Sequence, residues 1–485
     1  MNAHRPWLLE RAVARPTGTA VVFEDQPISW SELAREAEVL ALRLASLGVG
    51  RGDRVAVRMA THPRFVALLH ACQRLGAALV PLNLRLTATE TARLVEHCEP
   101  RVFLVDDAGR VPHVHVPTLD ALYDLDSVPV ARHQQLPDRL ELSEPLTIVY
   151  TSGTTGAPKG VVLTNANHAG AALASRERLG HGGEDSWLAT LPLYHVGGLA
   201  ILTRSVLEGS RVLLEDGFDA SRVAQAIRDG SATMVSLVPT MLARVLDALE
   251  GPPSARLRCV LVGGAALPAA LATRAVAAGL PIAPTYGLTE ACSQVCTSTP
   301  SGDVVLSGVV GPSLPGVEIR IDAPDEDGIG EVLVRGNNVM MEYFRNEAAT
   351  ADVLQEHWLR TGDLGSLDVG GRLRLACRRY DLIVTGGENV APPEVEAVLA
   401  EHPGVAECAV FGVEDPEWGQ RVVALVVAHE KAPAPARLGT WCRERLAAYK
   451  TPREFRFVEA LARNATGKVD RTALGSAWSE AGSVA

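Results

Sequence analysis

The stretch YTSGTTGAPKG, Tyr150–Gly160, packs four Ser/Thr hydroxyls, three glycines and one lysine into eleven residues. The apolar runs LTIVY and VVL bracket it. Glycines let a backbone turn its N–H groups toward an anion, hydroxyls add donors, and lysine adds a point charge. A phosphate is what such a loop suits. The nucleotide-hydrolase pattern G-x-x-x-x-G-K-[ST] does not apply: Pro158 stands five residues after Gly153, and Gly160 rather than Ser or Thr follows Lys159. A plain surface turn has little use for four hydroxyls and a lysine between two apolar runs.

Outward from this loop the chain alternates helix and strand signals. Ser29–Glu32 (SWSE) has capping-box spacing before a helical pattern that runs to Gly48, and RVAVRM reads as a strand. Pro63 stands where a first helical residue belongs, ALVPLN is a strand, Thr87–Glu90 caps another helix, and RVFLVDD is a strand again. Beyond the loop, MVSLVP and CVLVGG read as buried strands. This β-α-β order predicts an α/β fold of mostly parallel sheets with helices on their faces. From Val309 to Asp368 short alternating segments predict a small antiparallel, β-barrel-like subdomain. After Asp381, a helix at PPEVEAVLAEH, strands AECAVFGV and RVVALVVA, and a helix at LGTWCRERLAAY predict a compact α+β unit of roughly 100 residues. The boundary is placed at 378/379, giving domains 1–378 and 379–485.

The 485 residues exceed one ordinary domain, and 47% hydrophobic content supports large cores. A net charge of −11 argues against nucleic-acid binding. The eight cysteines form no C-x-x-C pair, and Cys292 and Cys296 read as small buried hydrophobes in a reducing cytoplasm. The N-terminal WLL is cut short by Glu10 and Arg11, so no signal peptide is expected. No stretch reaches the ~18 apolar residues of a transmembrane helix. A homo-oligomer is left open.

Four further motifs join the first in fixed order: YGLTE (Tyr286–Glu290), TGD (Thr361–Asp363), RRYDLIVTGGENV from Arg378, and RNATGK ending at Lys468. Together they resemble the adenylate-forming superfamily of acyl-CoA synthetases, luciferases and peptide-synthetase adenylation domains, from about residue 7 to about 475. The resemblance implies a large N-terminal domain, a small mobile C-terminal domain, and two half-reactions. A carboxylate first attacks the α-phosphate of ATP, and a thiol then displaces AMP. On this likeness Thr151, Ser152, Gly153, Thr154, Thr155 and Lys159 grip the leaving pyrophosphate, where preorganised donors favour the transition state. Gly263, Gly264, Ala265, Tyr286 and Gly287 line the adenine pocket, and Thr289 bonds the α-phosphate. Glu290 holds Mg²⁺, and Asp363 accepts the ribose hydroxyls with Arg378 nearby. Lys468 is the catalytic cation between carboxylate and phosphate, and Gly386 and Gly387 flank the entering CoA. Tyr380 departs from the Asp or Lys that many members carry at the hinge.

The chain ends soon after Lys468, so free CoA is expected as acceptor. His195, in LPLYHVGGL, is implied at the wall between acyl and CoA channels. LPLYHVGGL, YGLTEACSQV, EDPEWGQ and ARNATGK look like the o-succinylbenzoate–CoA ligases of menaquinone synthesis. Ser293 and Gln294 put polar groups near the pocket floor, which suits an acid with extra oxygens. A medium-chain or aromatic acid–CoA ligase is the alternative; a luciferase-like oxygenase or a non-catalytic nucleotide-binding module stands further off.

Overall fold

The computed structural model describes residues 5–106, 114–131, 134–151, 158–265, 267–300, 309–324, 328–377, 383–390, 392–429, 432–462, 469 and 471–481. Ser152, Gly153, Thr154, Thr155, Arg378, Tyr380 and Lys468 therefore lie outside the described residues. The chain divides into two compact units. The first comprises Met1–Leu84, Val95–Tyr150 and Gly160–Arg378; the second comprises Arg85–Leu94, Thr151–Lys159 and Arg379–Ala485.

The first unit is built on two largely parallel sheets. In the eight-stranded sheet, Thr19–Phe23, Arg211–Leu214, Ser186–Ala189, Met234–Leu237, Cys259–Val262 and Ile282–Tyr286 run parallel as neighbours in that order. Gln26–Ser29 and Cys296–Thr297 close its edges antiparallel. In the seven-stranded sheet Arg54–Arg58 runs parallel between the central strand Ala78–Pro81 and Val102–Val105. Its inner strands are continuous apolar runs such as VFLV, buried along their whole length, because helices cover both faces. Helix boundaries follow local chemistry. Trp30–Ser46 starts on the reciprocal Ser29–Glu32 box. Pro63–Leu75 has proline in its first turn and stops at Gly76, whose φ of +65° a β-carbon would oppose.

A consequence of parallel pairing positions the site. Val260 pairs with Ile282 and Val262 with Pro284, so the loops leaving the carboxyl ends of these strands, 263–265 and 287–294, emerge side by side. Carboxyl ends of parallel strands are where such sheets bind ligands. An antiparallel sheet completes the unit: Val309–Pro312, Arg372–Cys377, Trp358–Leu367, Gly330–Gly336 and Val317–Asp322 pair in that order, with Leu354–Gln355 added on Trp358–Leu367.

The second unit carries a five-stranded sheet in which Gly419–Ala428 pairs with Val405–Asp415, Ile383–Thr385 and Glu454–Phe457. Helix Pro392–Ala400 packs Val395 and Leu399 into the core with Val410, Val422 and Ala424. The last predicted helix is shorter than LGTWCRERLAAY suggests: it spans Pro435–Arg443, and a 3-10 turn, Ala448–Lys450, follows. The reason lies in Lys450, which is 4% exposed. Ala447, in extended backbone (φ −59°, ψ 147°), turns the chain. The ammonium then lies 2.7 Å from Glu394 and 3.0 Å from Glu90. Burial holds the Glu394 carboxyl above its usual range despite Lys450. The same burial works against the Lys450 charge, but Glu394 and Glu90 outweigh it and raise its pKa. Arg85 pairs with Glu388 at 3.3 Å in the same unit. Among the described residues, no helix is long and apolar enough to cross a membrane.

Candidate active site

In the first unit, Tyr286 ends its strand and Asp363 lies 77 positions later in Trp358–Leu367. The Tyr286 hydroxyl donates to Asp363 Oδ2 at 2.6 Å, with both side chains buried. Burial first, and then the Asp363 carboxylate, push the phenol pKa well up, so it stays a donor. The turn before Asp363 is fixed by its own bonds. Thr361 Oγ1 donates to Val332 O at 2.7 Å and accepts from Asp363 N at 3.1 Å. Gly362 N donates to Glu331 Oε1 at 2.9 Å. Beside Tyr286, Gly263 must lack a side chain, because a β-carbon there would meet Thr285 Cγ2 at 2.6 Å; Gly264 adopts φ +80°. Ala265 and Thr289 are half-buried on the two loops.

Glu290, one residue on, is buried in a 3-10 turn. Tyr343 donates its hydroxyl to Glu290 Oε1 at 2.7 Å, and Met340 N donates to the Glu290 carbonyl at 2.7 Å. No cluster of three or more His, Cys, Asp or Glu forms a metal site among the described residues. A divalent ion at Glu290 would thus take its other ligands from phosphate oxygens and water, the set that Mg²⁺ favours. The chain then makes two successive left-handed steps, Cys292 at φ +50° and Ser293 at φ +92°. Gly287 permits the approach of the Ser293 carbonyl, which a β-carbon would meet at 1.5 Å. Cys292 Sγ lies 3.6 Å from His168 Nδ1, and the His168 Nε2 is 2.9 Å from Thr147 Oγ1. Gln294 turns inward: its Nε2 donates to Thr297 Oγ1 at 2.9 Å, and its buried Oε1 has no partner among the described residues.

Facing Ser293 is a residue that motif reading passes over. Arg204 lies inside helix Val196–Glu208, is 1% exposed, and forms no ion pair among the described residues. Its Nη2 reaches Ser293 Oγ only at 3.5 Å, the outer limit of a hydrogen bond; its Nε has no partner among the described residues; and its guanidinium lies 5.3 Å from the Trp187 ring centroid. Burial lowers its pKa to about 10, so it remains charged. The only sequence signal was a lone arginine in the apolar run GLAILTRSVL. His195 stands at the N-terminal boundary of the same helix, edge-on to Tyr194 at 4.8 Å.

In the second unit, Thr151 Oγ1 lies 3.5 Å from the Lys159 carbonyl across the glycine-rich loop. Gly386 and Gly387 both take left-handed φ, +56° and +81°, and Trp418 Cε3 occupies the space a Gly386 β-carbon would need, at 2.7 Å.

Residues 8–344 match the family of AMP-binding enzymes, and residues 394–468 match the AMP-binding enzyme C-terminal domain. The chain is 38% identical to the 2-succinylbenzoate–CoA ligase of Bacillus pumilus over 97% of both chains. It is 39% identical to that of Bacillus licheniformis over 97% of this chain and 99% of the relative. It is also similar to solved structures of the Bacillus subtilis o-succinylbenzoate CoA synthetase. A double mutant of that enzyme, bound to a product analogue, aligns with a TM-score of 0.92 at 38% identity, over 97% of this chain and 98% of the other. The same synthetase with ATP and magnesium aligns at 0.74 and 37% identity, over 97% and 99%.

Proposed function

Because the chain belongs to the AMP-binding enzyme family, we propose that it is an AMP-forming acid–CoA ligase converting 2-succinylbenzoate to 2-succinylbenzoyl-CoA. In the first half-reaction a carboxylate oxygen attacks the α-phosphorus of ATP, and the bond to the pyrophosphate oxygen breaks. In the second, the CoA sulfur attacks the acyl carbon, AMP departs with the bonding electron pair, and the thiol proton passes to solvent. ATP, Mg²⁺ and CoA are the corresponding ligands, and a solved relative holds ATP with magnesium. A cytoplasmic site of action fits a reaction that draws on ATP and CoA.

Residues 1–378 bind ATP and the acid. Tyr286 and Asp363 hold the nucleoside, Thr289 the α-phosphate, and the 151–159 loop with Lys159 the leaving pyrophosphate. Glu290 would hold Mg²⁺, which when bound would neutralise phosphate charge. Residues 379–485 bring Lys468 to the first step, and Gly386 and Gly387 flank CoA in the second.

The observation that carries the acid assignment is Arg204. A buried guanidinium with no carboxylate partner among the described residues is costly unless a ligand supplies one, and 2-succinylbenzoate brings a second carboxylate besides the one that reacts. Ser293, facing Arg204, adds a hydroxyl to the same subsite. A fatty acid would leave both unanswered. CoA-dependent AMP release from a panel of acids tests the reading. The enzyme should prefer 2-succinylbenzoate to benzoate and octanoate by roughly two orders of magnitude or more in kcat/KM. Octanoate or benzoate turning over best would reject the acid and leave the ligase class.

A further inference from the structure

The two left-handed residues at the acid pocket are bracketed by one side chain. Asn338 is 1% exposed and lies just past the strand Gly330–Gly336. Its Nδ2 donates to the Ala291 carbonyl and to the Gln294 carbonyl, both at 3.1 Å. A carboxamide nitrogen has two hydrogens, so each goes to one end of the Cys292–Ser293 step. Neither Cys292 nor Ser293 is a glycine, and each sits where a β-carbon is disfavoured, so the turn persists only if its surroundings hold it. Asn338 spans the turn, and the Ser293 carbonyl is packed against Gly287. The same short segment fixes the other end of the loop through Met340 N and the Tyr343 hydroxyl on Glu290.

We propose that Asn338 is a positioning residue for acid selection: by chelating the carbonyls of Ala291 and Gln294 it aims Ser293 Oγ at the Arg204 side of the pocket. Its role is indirect, through the two carbonyls it holds. The inference rests on the reading that Ser293 and Arg204 receive the acid. The bond between Tyr286 and Asp363, which hold the nucleoside, does not pass through Asn338, and Glu290 keeps its own bonds from Met340 N and the Tyr343 hydroxyl.

The test compares Asn338→Ala with the unmutated enzyme in three readings: kcat/KM for the acid turned over best divided by that for benzoate, KM for ATP, and melting temperature. Asn338→Ala should cut the acid ratio by about tenfold or more, while KM for ATP stays within about twofold. A second variant, Asn338→Ala with Cys292→Gly, guards against a protein that fails to fold. Glycine accepts the left-handed step without the bracket, so this variant should recover the melting temperature while the acid ratio stays low. An unchanged ratio in either variant overturns the proposal. A fall in ratio matched by an equal loss of ATP affinity overturns it too, since that is the mark of a general structural role. If the unmutated enzyme turns over another acid best, the 2-succinylbenzoate assignment fails, and the same three readings still decide the role of Asn338.

Discussion

Replacing Arg204 by methionine should make the protein more stable and a worse enzyme for one acid only. Methionine keeps the unbranched stem that packs beside Trp187 and removes the charge. The lowering of the Arg204 pKa to about 10 by burial corresponds to roughly 3 kcal/mol of destabilisation at neutral pH. The sign is fixed by the direction: a base whose folded pKa is lowered binds its proton better unfolded, so the cost is in full force everywhere below about pH 10. The ring face of Trp187 returns about 0.5–2 kcal/mol of this, so the net gain for Arg204→Met is about 1–2 kcal/mol. Against that, a second carboxylate entering a pocket without its cation loses about 3–5 kcal/mol, or roughly 10²–10⁴-fold in kcat/KM. Benzoate brings no second carboxylate and should lose little. Two measurements decide. One is the melting temperature of the free protein, with and without 2-succinylbenzoate; the acid should raise it in the unmutated enzyme and not in the variant. The other is CoA-dependent AMP release from both acids. A variant that melts lower, or that loses benzoate and 2-succinylbenzoate equally, would refute the assignment of Arg204 to the acid.

Other outcomes follow from single contacts. Lys468→Ala should lose about 10²–10³-fold in pyrophosphate release yet still form thioester from supplied acyl-adenylate; equal loss in both steps removes Lys468 from adenylation. Gly287→Ala places a methyl group 1.5 Å from the Ser293 carbonyl, so titration with ATP and with acid should show both weakened, and wild-type affinities would contradict the packing. Gly387→Leu should accumulate bound acyl-adenylate with little CoA product in a single-turnover quench; lost pyrophosphate release with intact thioesterification would reverse the role. His168 is buried and its pKa pushed down to about 3, so it folds neutral while the unfolded chain protonates near 6.5. Its share of stability is whole above that range and falls as the pH drops from about 6.5 toward 3. Denaturant melts of His168→Gln across this window should show a shallower acid loss, and an unchanged slope would exclude the histidine.

The parallel sheets were legible because their strands are uninterrupted apolar runs between capping boxes and glycine stops, all local signals. Tyr286 and Asp363 were legible as motif letters, though only the fold shows that a 2.6 Å bond joins them. Arg204 and Asn338 escaped for a shared reason: each matters through its burial against groups more than 40 positions away, and no local spacing encodes that. The short final helix escaped likewise, since nothing in LGTWCRERLAAY announces that Lys450 must reach two carboxylates.

Those two carboxylates bear on how relatives could be recombined. Glu90 belongs to the stretch matched by the AMP-binding model, Glu394 and Lys450 to the stretch matched by the C-terminal one, yet all three lie in one compact unit. A chimera cut at residue 378 takes Glu90 from one parent and Glu394 with Lys450 from the other. Where the donor carries a neutral residue opposite Lys450, or another charge opposite Arg85, the graft buries a mismatch that no linker length can relieve. Exchange of C-terminal regions between ligases should therefore succeed when residues 85–94 travel with the graft, as an eleventh-hour patch of ten amino acids otherwise foreign to it.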